Sequence, residues 1–199
     1  MHGLVNKLVQ SFIEDIYNPD MWDAVVRDSK FEFRDFEAML VYDDDVTDLA
    51  IDGAARVLGK SRDMVLEDIG AYLVTHKNME PVRRLLRFGG HTFEEFLYSL
   101  DDLPDRVTLA IPDLEMPTME IREYTRHNHT LVCTWRKPGF GSVLLGMLRA
   151  LGDDYGVLLM LEMSRIVDGK FARETIKIEL LEIDFSEGRE FHLAADGTG

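Results

Sequence analysis

The chain is poor in cysteine, in basic charge and in long apolar runs, and each shortage excludes something. Cys133 is the one cysteine in 199 residues, so no disulfide can close within the chain and no thiolate cage can hold zinc. That usage suits a reducing, cytoplasmic setting. Lys and Arg number 22 against 37 Asp and Glu, a formal charge of −15. A field of that sign opposes nucleic acid and anionic membrane surfaces, both of which are bound by basic groups that displace counter-ions. The most apolar stretch, residues 139 to 151, is interrupted by Ser142, Gly146 and Arg149 and falls short of the ~20 apolar residues a membrane span needs. The opening MHGLVNKLVQ has no basic segment followed by an apolar core, so it does not read as a signal peptide. The expectation is a soluble chain with no membrane insertion and no nucleic-acid partner.

What is present is enough apolar material, 46% of the residues, for one well-packed domain of two lobes sharing a core. The first half has helical periodicity. Leu4, Val5, Leu8, Val9, Phe12, Ile13 and Ile16 recur at helix spacing until Asn18-Pro19 breaks the run, and Pro19 then opens a short helix carrying Trp22, Val25 and Val26. An aromatic segment, Phe31 to Leu40, leads to a polar turn over Asp43 to Asp45 and Thr47. A helix over 49–58 stops at Gly59, and Ser61 caps the next, which carries Val65 to Val74. Residues 79–88 read as helical turns closed by Gly89-Gly90. Thr92 and Glu95 form a capping box for a helix with Phe93, Phe96, Leu97 and Leu100 inside, and Pro104 is expected to end or kink it.

After that the period changes from helix to strand. Met119 to Tyr124 and Thr130 to Thr134 read as strands joined by a polar turn, 139–153 as an apolar helix, and 157–163 and 175–185 as strands linked through Val167-Asp168-Gly169-Lys170. Ile176, Ile178 and Leu180 alternate with Lys177 and Glu179, so one face of that sheet is wet. The predicted class is α/β of the α+β kind, with a helical lobe over about 1–75, a pocket and sheet lobe over about 76–193, both within a single domain, and a frayed tail over 194–199.

Chemical motifs are scarce. Gly139-x-Gly141 has Leu144 where a dinucleotide fingerprint needs its third glycine, and no phosphate loop, HExxH, EF-hand or GxSxG occurs. His127 and His129 read as a polar pair flanking a turn, Cys133 as a buried unreactive thiol, and the adjacent acids Glu94-Glu95 and Asp153-Asp154 as solvated surface. No nucleophile, base and orienting group converge, so an enzyme is not expected.

The segment order and several motifs resemble the heme-nitric oxide/oxygen binding (H-NOX) family. Met1 to Asn6 fits its MxGxxN opening, Ile69 to Val74 its LGxYLV helix end, and Leu86 to Pro104 its LRxLGxxFxEFLxxLDxLH helix. Pro112 to Pro117 looks like the segment that sets a proline against the porphyrin, Val132 to Arg136 like the YxSxR propionate clamp, and Gly139 to Gly156 like the final helix. The resemblance implies a fold with an N-terminal helical lobe followed by a four-stranded antiparallel sheet with an inserted helix. It implies heme as cofactor, with Pro117, Thr134 and Arg136 as its binding residues, and a signalling kinase or cyclase as partner in trans. Two positions depart from the pattern. Pro104 stands where the proximal histidine would be and cannot ligate iron, and Val132 replaces the clamp tyrosine.

On a regular helix the neighbours of position 104 are Leu97, Leu100 and Asp101, none a customary heme ligand; His76, Cys133, Met116 and Met119 remain as donors from other elements. Two readings stay open. One is a gas sensor whose pocket holds heme or a related hydrophobic ligand and whose state is read by a signalling partner. The other is a heme-free interaction module whose pocket accepts another apolar small molecule or is filled by Phe88, Phe93, Phe96, Met116, Met119 and Trp135.

Overall fold

A computed structural model of the chain describes residues 1–87 and 90–182. Helix α1 (Gly3–Ile16) is followed by α2 (Pro19–Ser29), α3 (Asp44–Leu58) and α4 (Arg62–Thr75). A 3₁₀ turn at Lys77–Met79 leads to α5 (Glu80–Arg87), α6 (Phe93–Tyr98) and α7 (Leu103–Ala110). Strands β1 (Thr118–Thr125) and β2 (Asn128–Trp135) precede α8 (Phe140–Tyr155), and the hairpin β3 (Leu158–Asp168) and β4 (Phe171–Glu182) closes the described chain. The four strands form one antiparallel sheet in the order β1-β2-β4-β3. The strand end expected over 183–185 and the tail over 194–199 lie outside the described residues, as does Phe88.

Local chemistry sets most boundaries. Asn18 accepts from the Met21 amide ahead of α2, and Ser61 from the Met64 amide ahead of α4. Gly59 ends α3 with φ of 64°, a left-handed conformation that glycine adopts without a side-chain penalty. The Thr92 and Glu95 capping box forms in full. Helix α3 begins five residues before its expected start. The acids Asp44 and Asp45, read as turn, form its first turn, where the positive end of the helix dipole favours them.

The helix does break ahead of Pro104, but earlier than expected: it ends at Tyr98, and Pro104 sits in the first turn of a new helix, α7, where its missing N–H would have had no intrahelical partner anyway. The break also removes the regular-helix geometry that placed Leu97, Leu100 and Asp101 on the face of position 104.

Two apolar clusters result. One packs Phe12, Trp22, Phe36 and Ile51 among α1, α2, α3 and α4; the other packs Phe96, Leu100, Leu131, Leu148 and Ile176 among α5 to α8 and the sheet. Helix α4 contributes Ile69 and Tyr72 to the first and Val74 to the second. It reaches α8 through two glycines: a methyl group on Gly70 would collide with the Val143 carbonyl, and one on Gly146 with the Glu67 carbonyl. The helix backbones thus touch. Along β4, Ile176, Ile178 and Leu180 face the core and Lys177 and Glu179 face water.

Candidate functional site

Between the two clusters lies a cavity of about 460 Å³, within the range of small-molecule sites, roughly 300–1,000 Å³. Its walls are helical and apolar. Helix α1 contributes Leu4 and Leu8, α4 contributes Leu66, Ile69 and Leu73, α5 contributes Val82 and Leu86, and α8 contributes Phe140, Val143, Leu144 and Met147. These are the i, i+3, i+4 stripes already visible as periodicity. Helix α7 adds Leu103 and Val107, one turn apart, and the chain after it adds Ile111, Leu114 and Met116.

The residues expected to hold a cofactor stand elsewhere. Pro104 is half-buried beside Leu103 but does not line the cavity. Thr134 does not line it either, because strand alternation decides its side: Leu131 and Cys133 point into the core, so Val132 and Thr134 stand on the opposite face, where Thr134 pairs across the sheet with Thr118 and Arg173. The same alternation brings Trp135 to the wall. Pro117 is buried ahead of β1 and is not part of the lining.

Arg136 is exposed, and its guanidinium binds this chain's own acids. Its Nη2 lies 2.7 Å from Glu115 Oε2 and its Nε 3.5 Å from Asp44 Oδ2. Both acids line the cavity, and Arg136 does not. Asp44 also accepts a hydrogen bond from the Met1 amine at 2.9 Å, and this bond, with Arg136 and Lys137 nearby, holds its carboxyl below the usual carboxylate range. Lys137 Nζ meets Asp48 Oδ2 at 2.5 Å, and Arg62 reaches Asp48 at 2.6 Å and Asp52 at 2.5 Å. The polar residues that face the cavity are therefore tied in pairs.

Of the alternative iron ligands, Met116 lines the cavity, whereas His76, Cys133 and Met119 do not. His76 stacks on the Tyr72 ring at 4.8 Å, and Cys133 is fully buried in the sheet with its thiol pushed up to about 12 by that burial. Tyr98 donates to Glu123, and His91 is tied through its amide to Glu95. Among the described residues, the lining contains no His, Cys or Tyr; Met1, Met79, Met116 and Met147 are its sulfur donors. Thioethers in heme proteins act with a second ligand such as His, so this donor set does not fit an iron-ligated heme. No group of three or more His, Cys, Asp or Glu suited to a metal ion occurs among the described residues.

Among the described residues, Phe93 and Phe96 do not line the space. Phe93 and Phe96 pack on Tyr155, with ring centroids 5.9 and 6.1 Å away, inside the second cluster, and Met119 is buried in β1 away from the cavity. Of the six side chains expected as filling, Met116 and Trp135 reach the wall. His129, expected to flank a turn, is instead buried in β2 against the Tyr98 ring, and neither of its ring nitrogens has a partner.

The family model described as Haem-NO-binding matches residues 2–163. The chain belongs to the Haem-NO-binding family. Soluble guanylate cyclase 89Da of Drosophila melanogaster is 19% identical over 155 residues, 78% of this chain and 23% of the relative. Soluble guanylate cyclase gcy-35 of Caenorhabditis elegans is 30% identical over 104 residues, 52% of this chain and 15% of that protein. The chain thus spans less than a quarter of the length of these curated relatives. An H-NOX domain solved in work on H-NOX activation superposes with a TM-score of 0.76 at 16% identity, covering 94% of this chain and 100% of that one. An oxygen-binding H-NOX domain related to soluble guanylate cyclases gives 0.70 at 16% identity, with 94% and 98% covered. The α+β fold read from the sequence is the fold of these Haem-NO-binding relatives. No helix among the described residues is long and apolar enough to cross a membrane.

Proposed function

We propose that this member of the family is a ligand-sensing domain whose cavity takes a small hydrophobic molecule, held by burial and not by an iron bond. The observation that carries the reading is the cavity itself: about 460 Å³ between two apolar clusters, with no imidazole, thiolate or phenol on its walls among the described residues. Burial of apolar surface favours such a ligand by about 25 cal/mol per Å². Filling the space couples α1 and α4 on one side to α7 and α8 on the other, so ligand state reaches surfaces in both clusters. A kinase or cyclase in trans, as the cyclase relatives suggest, is the proposed reader of that state, in a reducing cytoplasm. The chain itself binds and does not catalyse.

The absorption spectrum tests this. The purified chain, before and after incubation with hemin, should show no strong Soret band, while the neutral dye N-phenyl-1-naphthylamine should bind saturably at one site. A Soret band at one heme per chain, lost on exchange of a single side chain, would name an axial ligand and overturn the proposal.

A further inference from the structure

The cavity has an apolar interior and a charged edge, and the arrangement of that edge bears on which ligands enter. Arg136 is the residue of the edge best suited to a carboxylate, with its planar fork of donors. It is occupied: Glu115 lies 2.7 Å and Asp44 3.5 Å from it, and these two acids, not the guanidinium, are the groups that line the cavity. Of the cations that line the cavity, Lys137 is held by Asp48 at 2.5 Å, Arg62 by Asp48 at 2.6 Å and Asp52 at 2.5 Å, and Lys7 donates to Gln10 Oε1 at 3.3 Å. An incoming acid would have to displace Glu115 or Asp44 from Arg136, because Arg136, Arg62 and Lys137 each already have a carboxylate partner from this chain.

We propose that Asp44 and Glu115 are built-in counter-ions that satisfy Arg136 from within the chain, so that the cavity selects uncharged apolar ligands such as long-chain alcohols or isoprenoids and rejects acids, dicarboxylate tetrapyrroles included. This rests on the hydrophobic-pocket reading above and adds the sign of the selection. It also accounts for how Arg136 stays in place when no cofactor acid pairs with it: the loop before β1 and the start of α3 supply two carboxylates in its stead.

The test is competition on the full chain with two molecules of one length, 1-dodecanol and dodecanoate, each displacing N-phenyl-1-naphthylamine at pH 8. The wild type should prefer the alcohol at least tenfold. Hydrophobicity alone also favours the alcohol, so the deciding quantity is the change in that ratio in Glu115→Gln and in Asp44→Asn/Glu115→Gln. The double variant should bind dodecanoate at least tenfold more tightly than the wild type does, with dodecanol moved less than threefold, and Glu115→Gln should fall between. Adding Arg136→Met to the double variant should abolish the gain. A ratio unchanged in the double variant, or a gain that survives loss of Arg136, overturns the inference while the pocket stands. Failure of the dye to bind the wild type defeats the pocket reading and this inference with it.

Discussion

Removal of the Glu174 carboxylate should loosen the edge of the cavity from behind. Glu174 is fully buried on β4, between Ala172 and Ile176 on the core-facing row. Its Oε1 accepts from the Gly139 amide at 3.0 Å and from Arg165 Nε at 2.6 Å, and its Oε2 from the Gly141 amide at 2.7 Å. Arg165 continues to Asp63 Oδ1 at 2.7 Å, and Asp63 to Ser142 Oγ at 2.8 Å. One network thus pins the first turn of α8 to α4 and to the β3-β4 hairpin. Glu174→Ala leaves two amides without their acceptor, each costing about 1–3 kcal/mol, and Arg165 with only its Asp63 half. The sum is about 2–6 kcal/mol, the arginine adding little because Asp63 still offsets its charge.

At about 2–4 °C per kcal/mol for a chain of this size, the midpoint of thermal unfolding should fall by about 4–24 °C. Glu174→Gln keeps one acceptor oxygen and should fall less. Hydrogen exchange gives the local reading: the Gly139 and Gly141 amides should exchange faster in Glu174→Ala, whereas core amides of the α1 to α3 cluster should follow only the global change. A midpoint within 2 °C of the wild type, or unchanged exchange at Gly141, would refute the assignment of this carboxylate as the cap of α8.

Three other outcomes follow from burial and contact. Gly146→Ala should destabilise by about 3 kcal/mol in urea titration, although alanine in an open helix is favoured by about 1 kcal/mol, because its methyl would drive α8 off the Glu67 carbonyl of α4; stabilisation would show that the helices do not touch there. Cys133, fully buried with its thiol pushed up to about 12, should not react with a disulfide reagent at pH 8 until the chain unfolds, and full reaction within minutes in the native state would contradict the strand placement. His129 is held below the usual imidazole range by burial, with Glu94, Glu123 and His127 as its charged neighbours. Below the unfolded value near 6.5, the unfolded chain takes up the proton first, so stability should decline as pH falls through that value, and His129→Leu should remove that part of the decline in denaturant titrations between pH 7.5 and 5.

Much of the fold was legible because local signals agreed with tertiary demand. The Thr92 and Glu95 box, the Gly59 stop and the alternation in β4 each carry their own physics, and none needs a distant partner to act. Pro104 marked the break but not its place, because a proline without an N–H can end one helix or open the next, and the choice fell to the turn over Ser99 to Asp102. Glu174 left a trace that could have been followed: an acid on the row of Ala172, Ile176, Ile178 and Leu180 must find donors in the core. Gly70 and Gly146 left another, since a glycine inside a helix costs about 1 kcal/mol and invites a packing reason. The occupants of Arg136 left none, because Asp44 and Glu115 are far from it in sequence and the pairing exists only once α3 and the loop before β1 have docked.

Pro104 in place of a histidine and the pairing of Arg136 within the chain bear on different handles of a tetrapyrrole. Loss of an imidazole at position 104 concerns the iron, and the pairing of Arg136 with Asp44 and Glu115 concerns the acid groups. They arise from separate elements, α7 on one side and α3 with the loop before β1 on the other, yet each removes a polar hold and leaves burial as the remaining attraction. Burial is graded by area and hardly reads chemistry: one methylene is worth about 1–3 kcal/mol in a hydrophobic pocket. A cavity of this kind gains its selectivity from what it refuses. On the proposed reading, the acids that already hold Arg136 are what turns other acids away, while Phe140, Val143 and Leu144 on α8, held in place by Glu174 and by the glycine contact with α4, set the shape of the cavity wall.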